Sequence, residues 1–127
     1  MIEESLFNAL QDPSITAVAA GGVWPLEPRE DQPYPQVVYR FIASVSAPTL
    51  STSGMFKTRV ELNCLGSSYS QAATLRNAVL AVLDGYISPP TDAVRIQNAT
   101  VLNGEMDDFD KEAREYRCLC EVYLFHT

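Results

Sequence analysis

The residues best able to perform chemistry are the cysteines and the single histidine, because thiolates and imidazoles bind metals and act as nucleophiles or bases. Cys118 and Cys120 are two positions apart, Cys64 belongs to an earlier segment, and His126 follows them. In a strand, alternate residues lie about 6.6 Å apart along the chain, whereas two sulfurs on one zinc lie within about 4 Å of each other. Free cysteine is also among the residue types most often buried. We therefore predict core thiols, with no metal site and no cofactor.

His126 is the penultimate residue of the 127-residue chain. A cysteine–histidine catalytic pair needs the imidazole within hydrogen-bond reach of the thiol, and about 20 Å of extended strand separates His126 from Cys120. We expect a frayed terminus here, which is a poor position for a general base. The sequence also contains no GxxxxGK[ST], GxGxxG, HExxH or GxSxG pattern. These observations predict a protein that is not an enzyme.

The densest charge in the chain is the acidic segment GEMDDFDKEA, residues 104–113. When it is aligned with a calcium-binding loop that begins at Asp108, Ala113 and Leu119 occupy the positions of the required glycine and final glutamate, so the motif fails. We predict a solvated loop between two strands. The alternative is an acidic patch that faces a partner, formed by Asp107, Asp108 and Asp110.

Charge and hydropathy exclude several classes of protein. Nine Lys and Arg against sixteen Asp and Glu give a net charge of −7, whereas nucleic-acid binding depends on basic surfaces that neutralise phosphates. We therefore expect neither tight DNA or RNA binding nor docking on an anionic membrane. The longest apolar stretch, residues 17–24, is shorter than the roughly 20 residues that span a bilayer. The N-terminus lacks the features of a signal peptide, and an odd number of cysteines agrees with reduced thiols in a cytoplasm.

The first half of the chain predicts short helices followed by two strands. The first helix covers residues 2–10, and the second begins at Asp12-Pro13 and stops at Gly21. The proline-rich residues 24–35 are predicted to be an ordered extended connector. A strand follows in which alternate residues share a face: Val37, Tyr39, Phe41, Ala43 and Val45. A loop over about 47–54 leads to a second strand whose inward residues are Phe56, Thr58, Val60, Leu62 and Cys64.

The second half predicts one long helix and two further strands. Ser68 and Gln71 form a capping box, the helix covers about 69–84, and Gly85 ends it. Strands near 93–103 and about 114–126 flank the acidic segment. Their order predicts a single α+β domain over residues 1–127, with a four-stranded antiparallel sheet, one long helix packed on one face and short N-terminal helices.

Four stretches of this pattern, in order, carry a family resemblance. They are IEESLFNAL; VWPLEP followed by PYPQVVYRFIAS; VELNCLGSSYSQAATLRNAVLAVLDG; and EYRCLCEVYLFH. Together they cover nearly the whole chain, which resembles the small tail-completion proteins of long-tailed bacteriophages and prophages. These proteins are also described as head–tail joining or tail-terminator proteins. Trp24 stands where members of the family often have tyrosine.

The resemblance implies a structural protein of the virion that forms a homo-oligomeric ring, a hexamer. The ring caps the tail tube and joins it to the head, so its partners are the tail tube protein and a head-completion or connector protein. DNA passes through the ring without tight binding, and assembly takes place in the bacterial host cytoplasm. On this hypothesis Asp107, Asp108 and Asp110 are candidates for the lumen, and Trp24, Leu50 and Met55 are candidates for an interface.

Two alternatives stay open at this stage. One is another head–tail connector protein, such as a head-completion (stopper) protein, because these are also small α+β domains. The other is a cytoplasmic module that binds a protein or a small ligand through its sheet face or a loop.

Overall fold

The computed structural model describes residues 2–46, 56–111 and 114–127. The predicted loop over 47–54 and the candidate interface residues Leu50 and Met55 lie outside the described residues. The elements, in chain order, are α1 (Ile2–Ala9), α2 (Pro13–Thr16), β1 (Val23–Pro25), β2 (Gln36–Ser46), β3 (Phe56–Gly66), α3 (Tyr69–Leu83), β4 (Ile96–Asp110) and β5 (Glu115–His126).

The fold is α+β, as predicted, but the sheet is mixed and has five strands in the order β1-β2-β3-β5-β4. The prediction of four antiparallel strands is wrong because Val23–Pro25, at the start of the predicted connector, pairs in parallel with Val37–Tyr39 of β2. Proline has no backbone N–H to donate and is therefore tolerated on an edge strand. The remaining pairs, β2 with β3, β3 with β5, and β4 with β5, are antiparallel.

The helix α3 and the strand β3 agree with the sequence-based prediction. The Ser68 side chain accepts a hydrogen bond from the Gln71 N–H at 3.2 Å and so caps the helix, and Gly85 has a φ of 72° just past its end. Thr58, Val60 and Leu62 of β3 are buried. The apolar residues of α3 pack on this face of the sheet; those that are fully buried are Ala72, Leu75, Val79 and Leu83.

Strand β2 contains a β-bulge that the sequence pattern does not reveal. The register shifts between Phe41 and Ala43, so that Ala43 lies opposite Arg59 and Ser44 lies opposite Thr58. The extra residue, Ile42, moves the following side chains to the other face of the sheet, because side-chain direction alternates with every residue. The predicted alternation is therefore correct up to Phe41 and wrong beyond it.

The acidic segment is largely a strand and not the predicted loop. Strand β4 extends to Asp110, and β5 begins at Glu115. Asp107 lies opposite Cys118, and Asp108 lies opposite Arg117. The aspartates therefore continue the sheet and do not occupy the tip of a hairpin. Within the described residues, no helix combines the length and apolar character needed to cross a membrane.

Candidate interaction surface

The three thiols lie in the core, as predicted. Cys64 lies opposite Cys118 across the β3–β5 pair, Cys120 lies opposite Leu62, and all three cysteines are buried and unbridged. Burial raises the pKa of Cys64 well above its usual value, the pKa of Cys118 to about 11 and that of Cys120 to about 12. The thiols are therefore protonated near neutral pH, which makes them poor nucleophiles. The described residues contain no group of three or more His, Cys, Asp or Glu placed to hold a metal ion.

The prediction of a frayed terminus at His126 is wrong, because strand β5 continues to this residue and buries its side chain. Nδ1 lies 3.1 Å from the Thr127 carbonyl oxygen, which can only accept, so Nδ1 is the donor. Burial lowers the pKa of His126, and the neutral imidazole then accepts at Nε2 from the Thr58 hydroxyl at 2.6 Å. Thr58 in turn lies 2.9 Å from the Ser44 hydroxyl. This chain of hydrogen bonds joins β2, β3 and β5 at one end of the sheet.

Asp107 faces the same side of the sheet as α3. Its carboxylate accepts hydrogen bonds from the Tyr69 hydroxyl at 2.7 Å and from Nη1 of Arg76 at 2.8 Å. The Arg76 side chain is only 7% exposed, so this carboxylate neutralises a nearly buried cation. The hydrogen bond from Tyr69, together with Arg76, lowers the pKa of Asp107. The first of the predicted acidic residues is thus part of an ion pair between α3 and β4.

Asp108 and Asp110 face the opposite side of the sheet. Asp108 accepts a hydrogen bond from the Phe109 N–H at 2.8 Å. Nη2 of Arg117 donates to Asp110 at 2.8 Å, and Nε of the same arginine donates to Glu115 at 3.0 Å. The three aspartates therefore do not form one patch, and two of them neutralise arginines of the same chain.

A tyrosine completes the contacts around Glu115. The Tyr34 hydroxyl donates to Glu115 at 2.6 Å, and this hydrogen bond is the main reason that the pKa of Tyr34 rises to about 12. Glu115 and Arg117 also line a shallow depression of about 260 Å³. Because its carboxylate is held by Tyr34 and Arg117, Glu115 has the contacts of a structural group and not those of a general base.

The sheet face directed away from α3 carries further ion pairs between neighbouring strands. Nη2 of Arg40 lies 2.6 Å from Glu61, and Nε of Arg59 donates to Glu121 at 3.0 Å. Opposite charges on adjacent strands stabilise a pairing register modestly. We call this surface the charged sheet face; its charged residues in the described region are Arg40, Lys57, Arg59, Glu61, Asp108, Asp110, Glu115, Arg117 and Glu121. The alternation that predicts an inward Phe56, Thr58 and Val60 also directs the residues between and after them, Lys57, Arg59 and Glu61, outward, but it does not reveal their partners.

Trp24, predicted as an interface candidate, lies in β1 at one edge of the sheet. Its indole Nε1 donates to the Gly21 carbonyl oxygen at 2.7 Å, and the Arg29 guanidinium carbon lies 4.6 Å from the ring centroid. The ring is partly buried by contacts within its own chain. These contacts explain an aromatic residue at this position without a partner protein.

The comparisons with known proteins are decisive about the family. A family model described as "Tail completion protein gp17" matches residues 4–126. The chain belongs to this family. A solved structure from the "Virion of native gene transfer agent (GTA) particle" has a similar fold, with a TM-score of 0.72 and 13% sequence identity. The alignment covers 98% of this chain and 93% of that one. No curated protein matches the sequence.

Membership in the tail completion family makes this chain a structural protein of phage-like virions and confirms the resemblance seen in the sequence. The geometry agrees with such a role, because the buried thiols and the paired carboxylates described above serve the fold. For a tail completion protein the relevant surfaces are those that can meet another protein. The charged sheet face and the two outer strands of the sheet are the candidates.

Proposed function

We propose that this protein is the tail terminator of its virion: a ring of copies, a hexamer, that closes the end of the tail tube and joins the tail to the head. The observation that carries the proposal is the family match over residues 4–126. The similar fold of a chain from a gene transfer agent virion supports it. The partners in this role are further copies of the chain, the tail tube protein and a head-completion or connector protein.

The architecture suits a ring. Closed rings form from head-to-tail contacts, in which two different surfaces of each subunit meet. The sheet has two different outer strands, with β4 at one end and β1 beside part of β2 at the other. Trp24 lies at the β1 end and is a proposed contact with a neighbouring virion protein.

The charge of the protein suits DNA passage. At a net charge of −7, the chain repels phosphates on average and avoids the contacts that would hold DNA in a pore. We extend the proposal to the lumen wall, for which some of Asp107, Asp108 and Asp110 are candidates; because Asp107 faces α3, the wall would be formed by the opposite face, which carries Asp108 and Asp110. Because Asp107 and Asp110 neutralise arginines of the same chain, Asp108 is the sharpest probe. Asp108→Lys should slow genome ejection while the protein still folds, and an unchanged ejection rate would remove Asp108 from the lumen.

Deletion of the coding sequence from the parent phage or prophage tests the main proposal. Negative-stain microscopy of lysates should show tails of uncontrolled length and filled heads without tails, and expression of the chain in trans should restore complete virions. A stopper protein of the head predicts a different result, in which tails end at their normal length while heads lose DNA. Normal virions in the deletion strain would overturn the proposal.

A further inference from the structure

The two ends of the sheet present unpaired strand edges. In the described part of the chain, β1 covers β2 only from Val37 to Tyr39, which leaves the outward edge of β2 from Arg40 to Ser46 without a strand. We call this segment the β2 edge. At the other end, β4 pairs only with β5 among the described strands. The segment after α3 covers the beginning of β4, since the Gly85 N–H donates to the Ala99 carbonyl and the Ser88 N–H donates to the Ile96 carbonyl. We call the outward side of β4 from Thr100 to Asp110 the β4 edge. Such edges expose N–H and C=O groups that can pair with another chain.

The directions of the two edges allow a continuous antiparallel sheet. Strands β2, β3, β5 and β4 alternate in direction across the sheet, so β2 and β4 run in opposite directions. A rotation about an axis roughly along the strands would therefore place the β4 edge of one copy antiparallel to the β2 edge of the next. Repetition of the same rotation closes a ring.

Both edges carry an exposed aliphatic side chain near the same row of the sheet. This row runs from Phe41 through β3 and β5 to Val101. Ile42 follows Phe41 at the β2 irregularity, and Leu102 follows Val101 at a similar irregularity in β4. Ile42 is 43% exposed and Leu102 is 39% exposed. Because β2 and β4 run in opposite directions, the two side chains lie on opposite sides of the row, about two residues apart in height, which is within reach of a diagonal contact between strands.

Charge does not choose between like and unlike edges, because the charged groups are paired within the chain: Arg40 with Glu61, Asp107 with Arg76 and Asp110 with Arg117. Contact between unlike edges follows from the ring, since pairing of two identical edges would close a dimer. The bulges also disfavour indefinite pairing of flat edges and favour a defined register.

We propose that neighbouring copies of this chain join by antiparallel pairing of the β4 edge of one copy with the β2 edge of the next, with Leu102 packed against Ile42 of the neighbouring copy. The inference rests on the ring of the proposed function and identifies the surfaces that close it. The interface combines main-chain hydrogen bonds with the burial of two exposed aliphatic side chains.

A mixing experiment tests the head-to-tail contact directly. Ile42→Cys and Leu102→Cys are made as separate proteins, and each protein and their mixture are treated with a short bismaleimide. The native cysteines are buried and should not react in the folded chain. We expect cross-linked dimers in the mixture and not in either protein alone. Ile87→Cys provides the matched control, since Ile87 is 62% exposed and belongs to the segment that covers the beginning of β4, outside the β4 edge as defined above.

Substitutions that disturb the contact provide a second measurement. Ile42→Asp and Leu102→Asp should each weaken assembly about tenfold or more in sedimentation velocity, because each places a carboxylate in a buried aliphatic contact. Ile87→Asp should leave assembly unchanged. Circular dichroism checks folding, and Ile42→Thr and Leu102→Thr replace any aspartate variant that does not fold.

The outcomes separate this inference from the proposed function. The measurements use the purified chain and tails from complemented lysates. Cross-links in the mixture together with weakened assembly of the edge variants support both proposals. Rings that form without cross-links between positions 42 and 102, and that tolerate the edge substitutions, overturn the edge pairing and leave the terminator role standing. A wild-type chain that stays monomeric in solution and on tails overturns both.

Discussion

The centre of the sheet and its two edges are built on different principles. In the centre, strands β3 and β5 face α3 with fully buried residues such as Leu62, Cys64 and Val122. Their other face carries ion pairs such as Arg59 with Glu121. At the edges, Ile42 and Leu102 are about two-fifths exposed. The charged groups at the centre have their ion-pair partners within the chain, whereas the edges leave aliphatic side chains exposed. Contact with other molecules is therefore expected at the edges.

The largest effect should come from removing volume at the centre. Leu62→Ala leaves a cavity in a fully buried position of β3 and should lower the free energy of unfolding by about 2–5 kcal/mol. The matched change at the edge, Ile42→Ala, should lower the stability of the isolated chain by less than about 1 kcal/mol. Urea denaturation monitored by circular dichroism measures both. Equal losses for the two variants would contradict the division between centre and edge.

A smaller effect should follow from loss of the ion pair between α3 and β4. Asp107→Ala leaves the nearly buried Arg76 without this carboxylate and should cost about 1–3 kcal/mol of stability, reduced from the value for a fully buried pair because Asp107 is partly exposed. Asp108→Ala, the adjacent aspartate on the opposite face, serves as the control and should change stability by about 0.5 kcal/mol or less. Equal effects of the two substitutions would show that the Arg76 contact does not stabilise the fold.

The smallest effect concerns pH and His126. Because burial lowers the pKa of His126 below the usual histidine value of about 6.5, the unfolded chain takes up a proton at a higher pH than the folded chain. Above about pH 6.5 both states are neutral, whereas below it stability should fall with pH until the folded pKa is reached. His126→Gln should flatten this slope between about pH 6.5 and 5, a range above the usual titration of carboxylates. An identical slope in the variant would assign the pH dependence to other groups.

Local signals in the sequence were sufficient for α3 and β3. The Ser68 cap and the Gly85 stop act within a few residues of the helix ends, and the alternation from Phe56 to Cys64 is directly visible. The burial of the cysteines also followed from the low polarity of thiols on an alternating strand. The family resemblance arose in the same way, from the order and spacing of these elements.

Other features depended on contacts between distant parts of the chain. The sequence predicts a strand for the first part of β4 but a loop for its acidic second part, because it does not show that Arg76 and Arg117 lie close to Asp107 and Asp110. The partners of the charged sheet face were missed for the same reason. His126 was expected to fray because its hydrogen bond to Thr58 joins residues that are 68 positions apart.

Local patterns predict the α+β class, the main helix and most strand positions, because these follow from periodicity and from short-range capping, and the order of these segments carries the family resemblance. Only the tertiary structure decided that Val23–Pro25 adds a parallel strand, that Ile42 shifts the register of β2, and which edges of the sheet stay open. Strand order and register result from the sum of many long-range pairings, and no local pattern of residue types encodes that sum.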